Sequence, residues 1–187
     1  MAQETPFPIS GPTLGAVLAG GGSVRFGSDK ALALLGGRTL LEHAVEGLRE
    51  CCGAVVVVGR EDAPVTAIPD RPGPDMGPLG GIAAALHHAR AHGFPAVLTC
   101  PVDCGGLAAR LIEQLGAAPA YCESQPVIGL WPASALPIVD AILAGPQPHS
   151  MRRFAAAIGA RGVRFAVPPP NINTPADLRA AEAPGGR

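Results

Sequence analysis

Short apolar runs separated by helical segments are the feature that most constrains the fold of this chain. Residues 14–18 and 54–58 are apolar, residues 96–100 are apolar except for Thr99, and the second run is β-branched throughout its length after the first residue. Such runs are typical of strands that are buried on both faces. Apolar residues at helical spacing begin at Leu40 and at Leu79. This alternation predicts an α/β fold of three layers, in which helices cover both faces of a mostly parallel sheet.

The remaining elements are shorter and less regular. We expect strands at 65–68, 127–131 and 163–167, and helices at 79–92, 107–115, 137–143 and 151–158. A last helix is expected to begin at Pro175, with Thr174 as its N-cap and Asp177 completing a capping box. We expect residues 1–12 to form a flexible tail and residues 13–183 to form a single domain.

Composition excludes several classes of function. The 187 residues carry a formal net charge of -1, whereas a nucleic-acid surface normally shows a basic excess. No basic, apolar leader begins the chain, and no apolar run approaches the roughly 20 residues of a membrane span. The five cysteines are odd in number and form no CxxC pair, so reduced thiols in a cytoplasmic protein are expected.

A glycine-rich loop, residues 19–30, follows the first predicted strand. Three consecutive glycines, Gly20, Gly21 and Gly22, allow main-chain N–H groups to approach a ligand closely. Such a cradle favours a polyanion, and Arg25 and Lys30 can neutralise phosphate oxygens. A ligand in an open parallel sheet binds at the carboxyl ends of the strands, where this loop lies.

Two common phosphate-binding motifs are absent from this loop. GxGxxG, counted from Gly20, would need a glycine where Arg25 stands, and GxxxxGK[ST] would need a glycine directly before Lys30, where Asp29 stands. The sequence therefore supports neither a dinucleotide-dependent redox enzyme nor a P-loop NTPase.

The stretch from Leu18 to Leu32 resembles the signature loop of the molybdenum cofactor guanylyltransferases, roughly LAGGxxxRMGxDK, with Phe26 in place of methionine. The resemblance continues in order through nearly the whole chain. It includes Asp70, Gly77-Pro78-Leu79-Gly80-Gly81, Asp103, Gln125-Pro126 and Asn171-Ile172-Asn173-Thr174-Pro175. It implies a Rossmann-like nucleotide-binding topology of the nucleoside-diphosphate-sugar transferase type.

The resemblance also implies roles for individual residues. Leu18, Ala19 and Gly20 would contact the nucleotide through the main chain, and the adjoining Gly21 and Gly22 would complete that cradle. Lys30 would contact the phosphates, and Asp70 would lie at the nucleotide site. Asp103 would hold Mg²⁺, a role that also suits a carboxylate directly after a buried strand. Arg25, Lys30 and Asp103 are thus the candidate catalytic residues, and Asn171 and Asn173 are candidates for binding the acceptor.

Structural alternatives remain for several of these residues. Asp103 could cap a helix that begins near Leu107, Asp70 could be a turn residue, and the two asparagines could form an Asx turn before Thr174. Two positions depart from the family pattern. Cys104-Gly105-Gly106 follows Asp103 where a proline is usual two residues on, and Val57 aligns with a usual asparagine or serine after the second strand.

Two further pairs of residues are candidates for a metal site and for an acceptor-phosphate site. His88 and His92 are four residues apart on a predicted helix and could share a metal, but no third ligand is evident, so a solvated helix face is the preferred interpretation. Arg152 and Arg153 could meet an acceptor phosphate or could be ordinary surface charge.

The resemblance implies a transferase that joins GMP from GTP to a molybdopterin-type acceptor, with Mg²⁺ as cofactor and pyrophosphate as the second product. Transient contact with other proteins of cofactor biosynthesis or with molybdoenzymes is expected; contact with nucleic acid or a membrane is not. The Gly20-Gly21 pair resembles the guanylyl branch rather than the cytidylyl branch. The alternatives are a cytidylyltransferase or another NTP transferase, a non-catalytic nucleotide-binding protein, and a plain interaction domain.

Overall fold

The computed structural model of the protein describes residues 11–20, 29–146 and 148–182. Most of the predicted tail over residues 1–12 therefore lies outside the described residues. The strands are β1 (Thr13–Leu18), β2 (Leu34–Leu35), β3 (Arg38–Thr39), β4 (Ala54–Val58), β5 (Thr66–Ile68), β6 (Ala96–Pro101), β7 (Ala120–Cys122), β8 (Gly129–Pro132) and β9 (Arg161–Val163). The α-helices are α1 (Leu40–Arg49), α2 (Gly77–Ala91), α3 (Leu111–Leu115), α4 (Leu136–Ala144), α5 (Met151–Ala157) and α6 (Pro175–Glu182). Short 3₁₀ helices span Lys30–Leu32, Val102–Arg110 and Ala133–Ala135.

Seven of the described strands form one sheet, in the order β5-β4-β1-β6-β8-β7-β9. β5, β4, β1 and β6 run parallel to one another, whereas β8 is antiparallel to both β6 and β7. β9 extends the edge by pairing parallel to β7, and β2 and β3 form a separate hairpin. The predicted α/β fold with a mostly parallel sheet is confirmed.

Helices cover both faces of this sheet because strand side chains alternate between two cores. In β4, Val57 belongs to one core, and Val56 and Val58 belong to the other. The first core packs α1, α3 and the 3₁₀ helix Val102–Arg110 against the sheet, and the second packs α2, α4 and α5 against it. The prediction of three layers is therefore confirmed.

Local sequence determines where α1 begins. The Thr39 hydroxyl accepts from the Glu42 amide at 3.1 Å, and the Glu42 carboxylate accepts from the Thr39 amide at 2.7 Å. This reciprocal pair satisfies two main-chain donors that a helix start leaves without intrahelical partners. The bonds that the Thr39 amide and hydroxyl donate to the Glu42 carboxylate, at 2.7 Å and 2.8 Å, hold the pKa of that carboxyl below its usual value. The helix begins at Leu40, as its apolar spacing predicts.

The second half of the chain differs from the sequence prediction in three places. The strand β7 was not predicted, and the strand predicted at 163–167 was wrong because β9 spans Arg161–Val163. Phe165 gives the apolar signal there, but it is buried in the core outside any strand. The α-helix predicted at 107–115 begins only at Leu111, because residues 102–110 form a 3₁₀ helix, and Asp103 lies in the first turn of that 3₁₀ helix.

None of the helices within the described residues has the length and apolar character needed to cross a bilayer.

Candidate functional site

The four parallel strands end at one edge of the sheet, where most of the sequence-predicted site residues lie. β1 ends at Leu18 beside Val58 of β4, and on its other side Leu18 pairs with Pro101 of β6. Asp70 follows β5 by two residues, and Asp103 follows β6 by two residues. Carboxyl ends of parallel strands are where open α/β sheets bind ligands. The sheet order thus brings together loops that are far apart along the chain.

A cavity of about 600 Å³ opens at this edge. Its walls come from the ends of β1, β4 and β6, from the loop after β5 and from the start of α2. The lining residues are Leu18, Gly20, Val58, Gly59, Asp70, Pro74, Asp75, Gly77, Pro78, Gly81, Pro101 and Val127. Its volume falls within the range of small-molecule sites. The predicted Gly77–Gly81 segment therefore borders the same cavity as Leu18 and Gly20.

Two glycines bring the exits of β1 and β4 into close contact. Gly59 has a φ of 85°, and a Cβ built on it would lie 2.6 Å from Cα of Gly20. A side chain at Gly59 would therefore be strained and would also collide with the loop after β1. The Ala19 amide donates to the Val58 carbonyl at 2.9 Å, so this predicted nucleotide contact has its N–H engaged within the sheet. Any main-chain contact of Ala19 with a ligand would have to come from its carbonyl.

Asp70 is one of the residues that line the cavity. Its oxygens lie 3.1 Å and 3.3 Å from the positions that Cβ atoms would take at Gly20 and Gly81, so both positions leave space for this side chain. Burial raises the pKa of the Asp70 carboxyl, and the negative charge of nearby Asp75 adds to the rise. Asp75 has a φ of 62°, an unusual conformation for a residue other than glycine. The cavity therefore contains two acceptor groups that suit a ligand with N–H or O–H donors.

Lys30 and Asp103, which are 73 residues apart in sequence, form an ion pair. Nζ of Lys30 donates to Oδ2 of Asp103 at 2.8 Å. The side chains are 16% and 2% exposed, respectively. The pair lies after β1 and β6, adjacent strands of the sheet. A fixed cation and a fixed carboxylate are thus positioned beside the strand ends that border the cavity.

Asp103 does not cap its own helical segment, contrary to the alternative interpretation of this residue. Its Oδ2 also accepts from the Ile172 amide at 3.0 Å, so the segment Asn171–Thr174 lies directly over it. Its Oδ1 is buried, with no hydrogen-bond partner among the residues that the structure describes. A buried carboxylate oxygen without a partner is costly unless something binds it. Mg²⁺ prefers such a hard oxygen and commonly uses one or two carboxylates, so Asp103 fits the metal that the resemblance implies.

Asn171 and Asn173 are brought to Asp103 by this segment, which we call the strap (Asn171–Thr174). Their side chains bond to each other, with Nδ2 of Asn173 donating to Oδ1 of Asn171 at 2.8 Å. The strap is held by the buried side chain of Ile172, which packs on Leu40, and by the start of α6. Thr174 and Asp177 form the predicted capping box, with bonds of 3.2 Å and 2.8 Å. The strap thus presents two amides near the ion pair.

Cys104, the first residue of the Cys104-Gly105-Gly106 departure from the family pattern, lies in the core. Cys104 is fully buried beneath Asp103, and its thiol interacts with that of Cys100. This contact and burial raise the pKa of the Cys100 thiol, so it stays neutral. All five cysteines are free thiols, as predicted.

The second departure lies inside a strand rather than after it. Val57 is completely buried in β4, which ends one residue later at Val58, and it is not among the residues that line the cavity. The first residue beyond that strand is Gly59, which does line the cavity. Gly59 and Asp75 line the cavity but were not predicted as site residues from the sequence. For Gly59, a glycine directly after a buried run was the available signal.

Other candidates lie outside the described residues or away from this edge. Gly21, Gly22 and Arg25 belong to residues 21–28, which the structure does not describe. His88 and His92 stack with ring centroids 4.0 Å apart. Across the described part of the chain, no three His, Cys, Asp or Glu residues form a cluster suited to a metal. Arg152 and Arg153 are exposed on α5.

Comparison with known proteins agrees with this geometry. Residues 15–165 match the family model of the MobA-like NTP transferase domain. A molybdenum cofactor guanylyltransferase from Acidiphilium cryptum (strain JF-5) is 40% identical over 189 residues, which cover 93% of this chain and 96% of that protein. The enzyme of the same name from Rhizobium leguminosarum bv. trifolii (strain WSM2304) is 37% identical and covers 90% of both.

Solved structures support the fold. Molybdopterin-guanine dinucleotide biosynthesis protein A from Archaeoglobus fulgidus superposes with a TM-score of 0.71 at 22% identity, covering 91% of this chain and 97% of that one. A 4-diphosphocytidyl-2C-methyl-D-erythritol synthase superposes with a TM-score of 0.64 at 15% identity, covering 91% and 98%. The fold is therefore that of nucleotidyltransferases of the nucleoside-diphosphate-sugar type. Because the family model matches most of the chain and these relatives are 40% and 37% identical over at least 90% of it, the chain belongs to the molybdenum cofactor guanylyltransferases.

Proposed function

We propose that this protein transfers GMP from GTP to a molybdopterin-type acceptor and releases pyrophosphate. The observation that carries the proposal is the Lys30–Asp103 pair, held at 2.8 Å beside a cavity at the carboxyl ends of β1, β4 and β6. A cation and a hard-oxygen ligand are the groups that phosphate transfer requires next to a nucleoside pocket.

The nucleoside of GTP would occupy the cavity, with its phosphates directed toward Lys30. Close approach of a ligand to the main chain at Gly20 is favoured because that residue has no side chain. Asp70 and Asp75 would accept hydrogen bonds from the donors of the nucleoside. The base and ribose would thus lie on one side of β1 and the reacting phosphates on the other side.

The transfer itself needs no general base. The terminal phosphate of the acceptor is already an anionic nucleophile, and one of its oxygens would attack the α-phosphorus of GTP. The bond from that phosphorus to the bridging oxygen would break, and its electron pair would leave with pyrophosphate. Catalysis of this kind consists of positioning and of stabilising charge. Lys30 would take up negative charge that develops on the phosphate oxygens, together with Arg25.

Asp103 is the residue that would hold Mg²⁺. Its Oδ1 is buried and lacks a partner among the described residues, while Oδ2 is shared by Lys30 and the Ile172 amide. When bound, Mg²⁺ supplies Lewis-acid polarisation of phosphate oxygens and offsets the repulsion between two anionic substrates. The strap would position the acceptor through Asn171 and Asn173, which flank Ile172, the residue whose amide donates to Asp103.

Purified protein incubated with Mg²⁺, molybdopterin and each NTP in turn tests the proposal. Pyrophosphate release and the mass of the pterin product would be measured. Asp140→Asn is the control variant, because Asp140 of α4 pairs with His87 of α2 at 3.0 Å. We expect product with GTP, dependent on Mg²⁺, for the wild type and for the control. Product with CTP instead would favour a cytidylyltransferase. GTP binding without turnover would favour a non-catalytic binding protein, and no NTP binding would refute the site.

A further inference from the structure

Arg60, a cation that the proposed reaction does not use, is fixed at the end of the glycine-rich loop. It directly follows Gly59, just beyond β4. Its Nη1 lies 3.2 Å from Oδ2 of Asp29, and its Nε donates to the Asp62 carbonyl at 2.7 Å. The Arg60 side chain is only 13% exposed, whereas that of Asp29 is 48% exposed. The guanidinium is therefore held from two sides, unlike a free surface arginine.

Asp29 connects Arg60 to Lys30. Oδ1 of Asp29 accepts from the Ala31 amide at 3.0 Å and caps the 3₁₀ helix Lys30–Leu32. Its two carboxylate oxygens thus bond in two directions, one to the helix that carries Lys30 and the other to Arg60. Because Lys30 is the first residue of that helix, the position of Asp29 determines where the lysine side chain begins.

Gly59 and Arg60 contact the two ends of the glycine-rich loop. A Cβ on Gly59 would lie 2.6 Å from Cα of Gly20, so the exit of β4 touches the start of the loop. Arg60 pairs with Asp29, where the described chain resumes. The spacing between the cavity, where Gly20 lies, and Lys30 therefore depends on Gly59 and Arg60.

We infer that Arg60 is a positioning residue for the nucleotidyl transfer, acting through Asp29 on Lys30. The inference rests on the proposed function. Since Lys30 is to meet the phosphates of GTP, freeing its helix would misplace the ammonium group relative to them. A displacement of about 1 Å in a catalytic group can lower the rate by about 100-fold.

A double-mutant cycle on Arg60 and Asp29 tests this inference. Arg60→Ala, Asp29→Asn and the double variant would be assayed for kcat and for KM of GTP and of the acceptor, with GTP affinity measured by calorimetry. Asp29→Asn keeps an oxygen that can cap the helix and removes only the charge. Arg49→Ala, which breaks an exposed 3.5 Å pair with Glu46 on α1, is the matched control.

We expect Arg60→Ala to lower kcat/KM for GTP by roughly 10- to 100-fold, with the KM of GTP raised and that of the acceptor unchanged. The double variant should be no worse than Arg60→Ala alone, because both changes break one connection. Arg60→Lys should recover part of the loss, and Arg49→Ala should match the wild type. Simple destabilisation would reduce the amount of active enzyme and leave the KM of GTP unchanged, which would contradict the inference.

Two other outcomes would also overturn it. Additive losses in the double variant would mean that Arg60 acts without Asp29, for example by touching phosphate itself. Wild-type rates in Arg60→Ala would remove any role. If the wild type formed no guanylylated product, the proposed function would fail, and calorimetric GTP titration of the same variants would still decide whether Arg60 acts through Asp29.

Discussion

The parallel and antiparallel halves of the sheet contribute to the site by different means. In the parallel half, β5, β4, β1 and β6 end together, and the side chains that follow them provide the cavity, Lys30 and Asp103. The other half begins at the antiparallel strand β8 and continues with β7 and β9, which pair parallel to each other; we call it the antiparallel half, and the residues that line the cavity include none from these three strands. From the described residues beyond β9, the main-chain N–H of Ile172 donates a hydrogen bond to Asp103 of the ion pair.

The parallel half and the strap are held in place by different kinds of contact. The parallel half is fixed by buried strand register, so its loops are placed by the core itself. The strap is fixed by a capping box and by Ile172 on Leu40, contacts that lie near the surface. We therefore expect substitutions in the parallel half to alter chemistry or global stability, and substitutions in the strap to act locally.

Trp131 marks the border between the two halves, and its removal should have the largest effect on stability. The ring is fully buried, its Nε1 donates to Oγ1 of Thr99 at 2.8 Å, and it packs on Phe154 with centroids 5.3 Å apart. We expect Trp131→Ala to lower the free energy of unfolding by about 3–5 kcal/mol in urea denaturation.

The KM of GTP in Trp131→Ala tests whether the two halves of the sheet have different roles. Because the antiparallel half is a scaffold in this view, the KM of GTP should stay at the wild-type value at temperatures where the variant is folded. Trp131→Phe, which retains a ring but loses the bond to Thr99, should fall between the two in stability. A large rise in the KM of GTP in the folded fraction of either variant would break the division between the halves.

Asp103→Asn should have the largest effect on chemistry. The amide retains the size of the carboxylate but loses its charge and one strong acceptor, so it would no longer hold Mg²⁺ or pair with Lys30 in the same way. We expect turnover to fall by about 100- to 1000-fold, with an unchanged circular dichroism spectrum. A fully active Asp103→Asn enzyme would contradict the metal role.

The strands that could be predicted from the sequence lie mainly in the parallel half. The run 54–58 was predicted and found with identical ends, because a β-branched run covered on both faces gives a strong local signal. Lys30 and Asp103 could each be singled out in a loop after a strand, and the sheet order then explains their contact. β7 and β9 have three residues each, too few to show periodicity, so one was missed and the other misplaced. β5 is equally short and was predicted at 65–68.

Contacts between segments that are far apart along the chain could not be predicted from the sequence. The amide of Ile172 is no different in sequence from any other amide, and only the course of the strap brings it to Asp103. The Arg60–Asp29 pair likewise depends on how two loops lie across adjacent strands. Residue type reveals where chemistry is available, whereas the fold decides which groups meet.

Asp70→Asn should change binding and stability in opposite directions. The pKa of this carboxyl is raised in the folded protein, so its charged form is unfavourable there and stability falls as pH rises from about 3.9, the usual value for aspartate, through the raised value. Above that window, the variant should be slightly more stable than the wild type in urea denaturation, and the difference should vanish at lower pH. GTP affinity by calorimetry should fall by roughly tenfold, since a charged hydrogen bond is lost.

The opposite pattern would show that Asp70 is a structural turn residue. In that case the variant would be less stable than the wild type at neutral pH and would bind GTP normally. Asp75→Asn is the companion variant, because removing the neighbouring charge should lower the pKa of Asp70 and reduce the pH dependence without abolishing it.

The smallest effect comes from the same substitution made in two capping boxes, one at the start of α1 and one directly after the strap. Thr39 caps α1 in the parallel half, and Thr174 caps α6 behind the strap. Replacing either threonine with alanine removes a helix cap worth about 1 kcal/mol. For Thr39→Ala, we expect that loss in the global free energy of unfolding, because α1 is packed into the main core.

For Thr174→Ala, we expect the urea midpoint to stay near the wild-type value and amide hydrogen exchange to accelerate only over residues 172–182, since α6 packs on few partners near the strap. The KM of the acceptor should rise while that of GTP stays constant. The bonds from the Asn173 and Thr174 amides hold the pKa of Asp177 below its usual value, so this support of α6 is lost as pH falls through that lowered pKa. An equal drop in midpoint for the two variants would mean that the strap unfolds together with the sheet, and the division between a core-built and a locally fastened part of the site would then fail.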